Sequence, residues 1–293
     1  MQVIPTEPFT NAAYVPTLLG RLTKDVKAAT ATLSPKEARF LVDLYYTMQD
    51  ERIRQAGQVR SLVASGEPHE TISWVLAQSE TLERNVRGML DAYTQHEATG
   101  MGAWARSIVG IGPVIAAGLV ANIDIAKAPT AGHIWRFAGL DPTQEWRKGE
   151  RRPWNASLKT LCWKLGESFV KVSGNAEAYY GQVYAQRKLY ELGRNERGEL
   201  ASQAEAKLAK AKIGKDTDAY AAYSTGTLPP AHLHARAKRY AVKLLLAHFH
   251  EVAYTRHFGK APPLPYPLVH SGHAHKIEPP NPDAGRREVP DEN

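Results

Sequence analysis

The stretch GIGPVIAAGLVANI, residues 110–123, contains two glycines two positions apart, followed by a proline and a small apolar segment. Trp104, Ser107 and Ile108 before it suit a short helix, and Pro113 suits the first turn of a second helix. This order predicts a helix–hairpin–helix, because glycine can adopt the positive φ that such a turn needs. The second helix has a face of small residues on which another helix can pack.

Two interpretations of the glycine turn stay open. The free backbone amides of Gly110, Gly112 and Val114, at the positive end of the second helix, form a site for a phosphate oxygen. Such a contact would hold a DNA backbone without reading its sequence. The alternative is a tight turn that only lets two helices pack closely. We favour the DNA contact, and we expect Gly112→Val to abolish the turn.

A basic loop with interleaved tryptophans follows, in EWRKGERRPWNASLKTLCWKLG, residues 145–166. Basic side chains beside aromatic rings in such a loop are typical of contacts to a phosphate backbone combined with stacking on bases. We predict that the DNA-binding residues of this segment are Arg147, Lys148, Arg151, Arg152, Trp146, Trp154 and Lys159. For Trp135 and Trp163 we favour core packing instead.

The charge distribution favours a polyanionic partner. Between Met101 and Tyr190 there are twelve Lys and Arg residues and six Asp and Glu residues, so this third of the chain carries most of the formal net charge of +7. Nucleic acid is the simplest such partner. No apolar run is long enough for a membrane span, the first residues lack a secretory signal, and the single cysteine, Cys162, excludes an intrachain disulfide. We expect a cytoplasmic, nucleoid-associated protein with no membrane partner.

Residues 34–100 are predicted to form two long helices joined by a short break. SPKE, Ser34 to Glu37, is a capping-box helix start, and Gly66-Glu67-Pro68 interrupts the pattern before a second start near Glu70. In the second helix an apolar seam, spaced alternately by three and four residues, runs through Ile72, Val75, Leu82, Val86, Met89 and Tyr93. We favour an antiparallel helical hairpin. The alternative is a short coiled coil that makes a homodimer through helix 70–95.

The remaining patterns are also helical, and no strand-like alternation persists. Helices are predicted over 176–192, in the first part of 200–226, and as one long helix up to Gly259, ahead of a Pro-rich tail without regular structure. We therefore predict an all-α fold. Its parts are an N-terminal arm (1–33), a helical hairpin or coiled coil (34–100), a helix–hairpin–helix DNA-binding domain (101–192), a helical extension (193–260) and the tail (261–293).

Eleven histidines, most of them late in the chain, raise the question of a metal site. His248 and His250 are two apart on a helix and point to different faces, whereas His232 and His234 lie at a helix start where they could share an ion. No cysteine ligand set or HExxH motif supports them, so we predict no metal site. We favour a basic helix face, formed by His234, Arg236, Lys238, Arg239, Lys243 and His250.

The motifs occur in a fixed order: GIGPVIAA, a spacer, FAGLDP, the basic loop, and an N-x-x-L-K helix start at Asn155, Leu158 and Lys159. This order resembles the C-terminal domain of insertion-sequence transposases of the 110/116/902 group, over about residues 103–172. The helical hairpin ahead of it is similar to the coiled-coil region that precedes this domain in that family. The resemblance implies DNA binding and a part in DNA transposition or recombination.

The family also has two catalytic parts, and neither is evident in this sequence. One is an N-terminal RuvC-like nuclease fold with four acidic residues, but about 33 residues precede the hairpin here, and Glu7 and Asp25 do not make such a site. The other is a serine whose place falls at Trp146 or Arg147. The nearest serine is Ser157, a weak catalytic candidate whose simpler interpretation is a first-turn helix serine. No cofactor is evident, and Mg²⁺ is expected only if the chain is catalytic.

Three functions remain at this point. The first is a DNA-binding, transposase-like protein of a mobile element or phage, with its status as an enzyme open. The second is a non-catalytic structural or regulatory DNA-binding protein that uses the same residues. The third is a basic helical module that binds an acidic protein.

Overall fold

The computed structural model describes residues 20, 22–67, 69–210, 212–264 and 276–286. Within these residues the chain forms eleven α-helices and two single-turn 3₁₀ helices and no strand, which confirms the all-α prediction. The α-helices are α1 (Lys24–Ala29), α2 (Pro35–Ala64), α3 (Glu70–His96), α4 (Met101–Arg106), α5 (Pro113–Asn122), α6 (Ala131–Phe137), α7 (Ala156–Lys171), α8 (Tyr179–Glu196), α9 (Ala201–Lys210), α10 (Asp218–Ser224) and α11 (Pro230–Phe258). None of the described helices is both long and apolar enough to cross a membrane.

The helices α2 and α3 form a long two-helix arm. Ser34 begins α2 with the predicted capping box, in which the Glu37 carboxylate accepts a hydrogen bond from the Ser34 backbone N–H at 2.8 Å. The two helices pack against each other. Their core lies at the end nearest the rest of the protein, where Val42, Val86 and Leu90 are almost fully buried.

The apolar seam of α3 divides into a buried half and an exposed half. Val86 and Tyr93 belong to the core that α3 shares with α2 and α5, while Ile72, Val75 and Leu82 remain 42–43% exposed. Packing within this chain therefore uses one half of the seam. The exposed half remains free for the homodimer contact predicted for helix 70–95, and that contact stays a prediction.

The helix α5 lies between the arm and the main core. Its Val114, Ala117 and Ala121 belong to the arm's core, while Ala116 and Leu119 belong to the main core with residues of α4, α7 and α11. The predicted small-residue face thus lets α5 pack on two sides. This packing fixes the position of the turn that precedes α5.

The main core is organised around α11, which runs beside α8, α7, α6 and α4. Phe249 of α11 is buried and packs edge-on against the buried Trp104 of α4, with ring centroids 5.9 Å apart. Phe169 of α7 stacks on Tyr180 of α8 at 5.1 Å. These contacts hold α7, whose two ends carry the predicted DNA-binding residues.

A buried carboxylate joins α8 to α11. Glu191 is only 1% exposed, and it accepts hydrogen bonds from Arg187 of its own helix and from Arg236 of α11, the latter at 3.0 Å. Burial disfavours the ionised form, but the hydrogen bonds from Arg236 and Arg187 outweigh it and hold the pKa of Glu191 below its ordinary value of 4.5. The carboxylate is therefore charged at neutral pH and pairs two helices inside the protein.

A C-terminal strap, residues 276–286, crosses α4 and α11 without regular secondary structure. The Trp104 indole N–H donates to the Pro280 carbonyl at 3.0 Å. The Arg256 guanidinium donates at 2.8–2.9 Å to three backbone carbonyls, those of Gly100, Pro282 and Ala284. The strap thus contacts both Trp104 and Arg256, which belong to different predicted parts of the chain.

Residues 1–19, which are most of the predicted N-terminal arm (1–33), and much of the predicted tail lie outside the described residues. This applies to His270, His273 and His275. The division of the chain into five parts therefore stays a prediction.

Candidate nucleic-acid interface

The turn between α4 and α5 is pressed onto the C-terminal end of α7. Gly110 has a φ of 97°, and its carbonyl accepts a hydrogen bond from Ser168 Oγ of α7. A Cβ atom at position 110 would lie 3.1 Å from Val172 Cγ2. Both the positive φ and this close contact require glycine at position 110.

Gly112 has a different part in the turn. It is extended, with a φ of −85°, and caps α5, whose first residue is Pro113. Within the described chain, the backbone amides of Gly112, Val114 and Ile115 make no hydrogen bond, as is usual for the first turn of a helix. These amides are the donors for the predicted phosphate contact, although the Val114 side chain is buried in the arm's core.

The requirement for glycine in the turn falls on position 110, which corrects the expectation for Gly112. We expect Gly110→Ala to lower the free energy of unfolding by about 2–3 kcal/mol, because it forces an L-residue to a positive φ and crowds Val172. Gly112→Ala adds the same methyl group where nothing lies within 4 Å, and it should cost less than about 1 kcal/mol. Urea denaturation of the two variants measures both values. Equal losses would contradict this assignment.

The basic loop, residues 141–155, joins α6 to α7 and is held at several points. The Asn155 N–H donates to the Phe137 carbonyl at 2.9 Å, and Asn155 Oδ1 caps α7 by accepting from the Leu158 N–H at 2.8 Å. Inside the loop, the Trp146 indole N–H donates to the Glu150 carbonyl at 2.8 Å. These bonds close the loop into a turn that carries its cations at the surface.

Four cations of this loop have no carboxylate partner within the described residues. Arg147, Lys148, Arg151 and Arg152 are exposed, and among the described residues no Asp or Glu oxygen lies within 4.0 Å of their side-chain nitrogens. The nearby Glu150 carboxylate accepts from the backbone N–H of Arg147 instead. Guanidinium and ammonium groups without a partner are available to an anionic ligand.

The loop tryptophans form a layered cluster with one of these loop cations and with Lys159 of α7. The Arg152 guanidinium lies 5.6 Å from the centre of the Trp146 ring, and Lys159 Nζ lies 3.7 Å from that of Trp154. The two rings pack edge to face with centroids 6.4 Å apart. Burial, and then the positive charge of Arg152, lower the pKa of Lys159. The predicted loop residues are thus brought together, with Trp146 exposed and Trp154 half-buried.

The glycine turn and the basic loop lie at opposite ends of α7. The loop precedes Ala156 at the N-terminal end, whereas Gly110 contacts Ser168 and Val172 at the C-terminal end. Because α7 has 16 residues, its ends are about 24 Å apart. The predicted DNA-binding residues therefore form two separate groups.

Trp163 lies between these two groups and is exposed, so the core interpretation was wrong for it. It is 59% exposed on α7, on the same face as the exposed Thr160 and Lys171. The helical spacing of Trp163 from Thr160 and Lys171, which places it among polar residues, was the feature of the sequence that could have predicted its exposure. Trp135 is half-buried and donates its indole N–H to the Lys243 carbonyl at 2.9 Å, in agreement with core packing.

Ser157 lies in the first turn of α7 and is exposed. No side chain or backbone group of the described chain makes a hydrogen bond to its hydroxyl. A serine nucleophile needs an adjacent base to remove its proton, and the described residues do not provide one here.

Four of the five histidines of α11 have a hydrogen-bond partner among the described residues, and the fifth, His257, is exposed. His232, His234 and His248 pair with tyrosine hydroxyls at 3.1, 2.7 and 2.7 Å, and His250 Nε2 bonds to the Ala128 carbonyl at 2.8 Å. Burial is the main cause that lowers the pKa of His248 to about 4. Among the described residues, no group of three or more His, Cys, Asp or Glu side chains could hold a metal ion.

The predicted basic face of α11 is largely turned inward, so that interpretation was wrong. Arg236 pairs with Glu191, Lys238 pairs with Glu167, and Lys243 lies 4.2 Å from the centre of the Trp135 ring. His250 is buried. These cations tie α11 to its neighbours and are not available to a ligand.

Comparison with protein-family models gives a match to the Transposase IS116/IS110/IS902 family over residues 103–180. The match covers about a quarter of the chain, from α4 to the first turn of α8, and confirms the resemblance predicted from the motif order. It includes the glycine turn, the basic loop and the whole of α7. Comparisons with curated proteins and with solved structures gave no match.

Proposed function

We propose that this chain binds the backbone of double-stranded DNA and acts in the transposition or recombination of a mobile element or phage. The observation that carries the proposal is a set of four exposed loop cations with no carboxylate partner in the described part of the chain, Arg147, Lys148, Arg151 and Arg152. They lie inside the segment that matches a transposase family. The cytoplasm, at the nucleoid, is the place where such a protein would meet its DNA.

In this proposal the DNA-binding groups at the two ends of α7 contact different parts of one duplex. The loop cations and Lys159 neutralise phosphates at one end, while the amides of Gly112 and Val114 donate to a phosphate at the other. A separation of about 24 Å corresponds to about seven base pairs at 3.4 Å each. The exposed Trp163 lies between the two contacts.

The test is the affinity of the purified protein for a labelled duplex, measured by anisotropy between 50 and 300 mM salt. Five cations, those of the loop and Lys159, should give a log–log slope of about −4 to −5, because each phosphate contact releases about 0.9 counterion. A slope near zero, or no binding at low salt, would favour a module that binds an acidic protein.

We propose binding without strand breakage by this chain alone, because no described residue places a base beside Ser157. Supercoiled plasmid incubated with the protein and Mg²⁺ should remain supercoiled while its mobility shifts. Nicking that disappears in Ser157→Ala would contradict this and make Ser157 catalytic.

We also infer a homodimer through the exposed half of the α3 seam, which the mass of the protein in solution would test.

A further inference from the structure

We propose that a groove along α8 binds an unpaired base of the DNA strand by stacking. The inference deepens the proposed function and rests on it, since the strand belongs to the same DNA. The groove encloses about 520 Å³ and lies between α8, α11 and the strap. Its wall is formed mainly by Tyr179, Gln186, Arg187, Tyr190, Tyr240 and Ile277.

The groove has a layered wall of rings and guanidinium groups. The Arg187 guanidinium lies 4.4 Å from the centre of the Tyr240 ring and 4.9 Å from that of Tyr190. Arg194 lies 5.7 Å from the Tyr190 ring. Tyr190 nevertheless keeps 53% of its surface exposed. A nucleobase can extend such a layered surface, because tyrosine rings and guanidinium planes both stack on bases.

The charge beside these rings favours a ligand that is aromatic and anionic. Arg187, Arg194 and Arg236 contact the buried Glu191 carboxylate, and Arg194 and Arg197 share the Glu199 carboxylate. Four guanidinium groups therefore face two carboxylates, which leaves an excess of positive charge. A nucleotide unit supplies both the ring and the negative charge.

Of the two glutamine side chains that line the groove, Gln186 is available for a base edge. Gln182 is already used, because its amide donates to the carbonyls of Ser173 and Asn175 at 3.0 and 2.8 Å. Gln186 is exposed and makes no hydrogen bond within the described part of the chain. Its amide has both a donor and an acceptor, as the edge of a base requires.

The N-terminal end of α8, whose Tyr179 lines the groove, lies close to the glycine turn. Val172 separates the two, because a Cβ atom at Gly110 would lie 3.1 Å from Val172 Cγ2, and one at Gly181 would lie 3.0 Å from the Val172 carbonyl oxygen. A strand whose phosphate binds the amides of the turn can therefore place an adjacent unpaired base toward α8. The basic loop, at the far end of α7, is not needed for this contact.

The experiment compares two labelled 12-mers with the same number of phosphates, one of thymidine and one of abasic sites. The wild-type protein should bind the thymidine strand about tenfold more tightly, because stacking needs the base. Tyr190→Leu should remove that preference and leave the abasic strand and a blunt duplex unaffected, while Tyr190→Phe should retain it. Tyr220→Leu on α10 removes a tyrosine outside the groove and should change nothing.

Equal affinity of the wild-type protein for the two 12-mers would overturn the proposal, because binding would then depend only on the phosphate charges of the strand. A Tyr190→Leu protein with an unchanged melting temperature and an unchanged preference for thymidine would also overturn it. The comparison is independent of the duplex titration. Failure of duplex binding with a preserved thymidine preference would contradict the proposed function and support this groove.

Discussion

Replacing Arg147, Lys148, Arg151 and Arg152 together by alanine is expected to weaken duplex binding by roughly 4,000-fold at 0.1 M salt. Each phosphate contact releases about 0.9 counterion, and each released ion contributes close to a factor of ten at that concentration. The log–log slope should fall from about −4 to −5 to about −1. Folding should be preserved, because the four side chains are exposed and have no carboxylate partner among the described residues.

The matched control removes the same charge elsewhere. Four lysines on or just after α9 are also exposed and lie outside the loop, Lys207, Lys210, Lys212 and Lys215. Their joint replacement by alanine should change duplex affinity much less, since only the long-range field is lost. If both quadruple variants lose affinity equally, binding depends on net charge and the loop has no special part in it.

Glu191→Ala is expected to destabilise the protein by about 3–5 kcal/mol at pH 7, because it leaves buried arginine charge without its partner. The carboxylate is 1% exposed and bonded to Arg187 and Arg236. For a chain of this length the melting temperature should fall by roughly 5–8 °C. Glu196→Ala, on the same helix but exposed and without an ion pair among the described residues, should cost less than about 0.5 kcal/mol.

The loss caused by Glu191→Ala should also depend on pH in a defined direction. The folded pKa of Glu191 lies below its ordinary value of 4.5, so the stabilisation is complete above about pH 4.5 and is lost as the pH falls through the folded pKa. Calorimetry at pH 7 and at pH 4 or below should therefore show the gap between wild type and variant shrinking in acid. A constant gap would mean that packing and not charge explains the loss.

The sequence predicted the features of the fold that depend on local rules. The capping box at Ser34 and Glu37 follows from side-chain reach within one helical turn, and the all-α class follows from apolar periodicity. The positive φ of Gly110 follows from the chemistry of a tight turn. Which of the two glycines carries the constraint was not predictable, because it depends on Val172, which is distant in sequence.

The candidate site was predictable in composition but not in arrangement. The basic loop comes from one short stretch, so its residues meet as expected. The separation of the loop from the glycine turn depends on how α7 packs, which no local pattern encodes. The inward direction of Arg236, Lys238 and Lys243 was missed for the same reason, since their partners lie on other helices.

The strap has a consequence for the order in which the protein can fold. The hydrogen bond from Trp104 to Pro280 joins residues 176 positions apart, and that from Asn281 to the Ser107 carbonyl joins residues 174 apart. Contacts of such sequence separation form late, because a long loop must close before they contribute. During synthesis, α4 and the turn that follows it leave the ribosome long before the strap that closes over them, so their native packing is completed only after residue 286 has emerged.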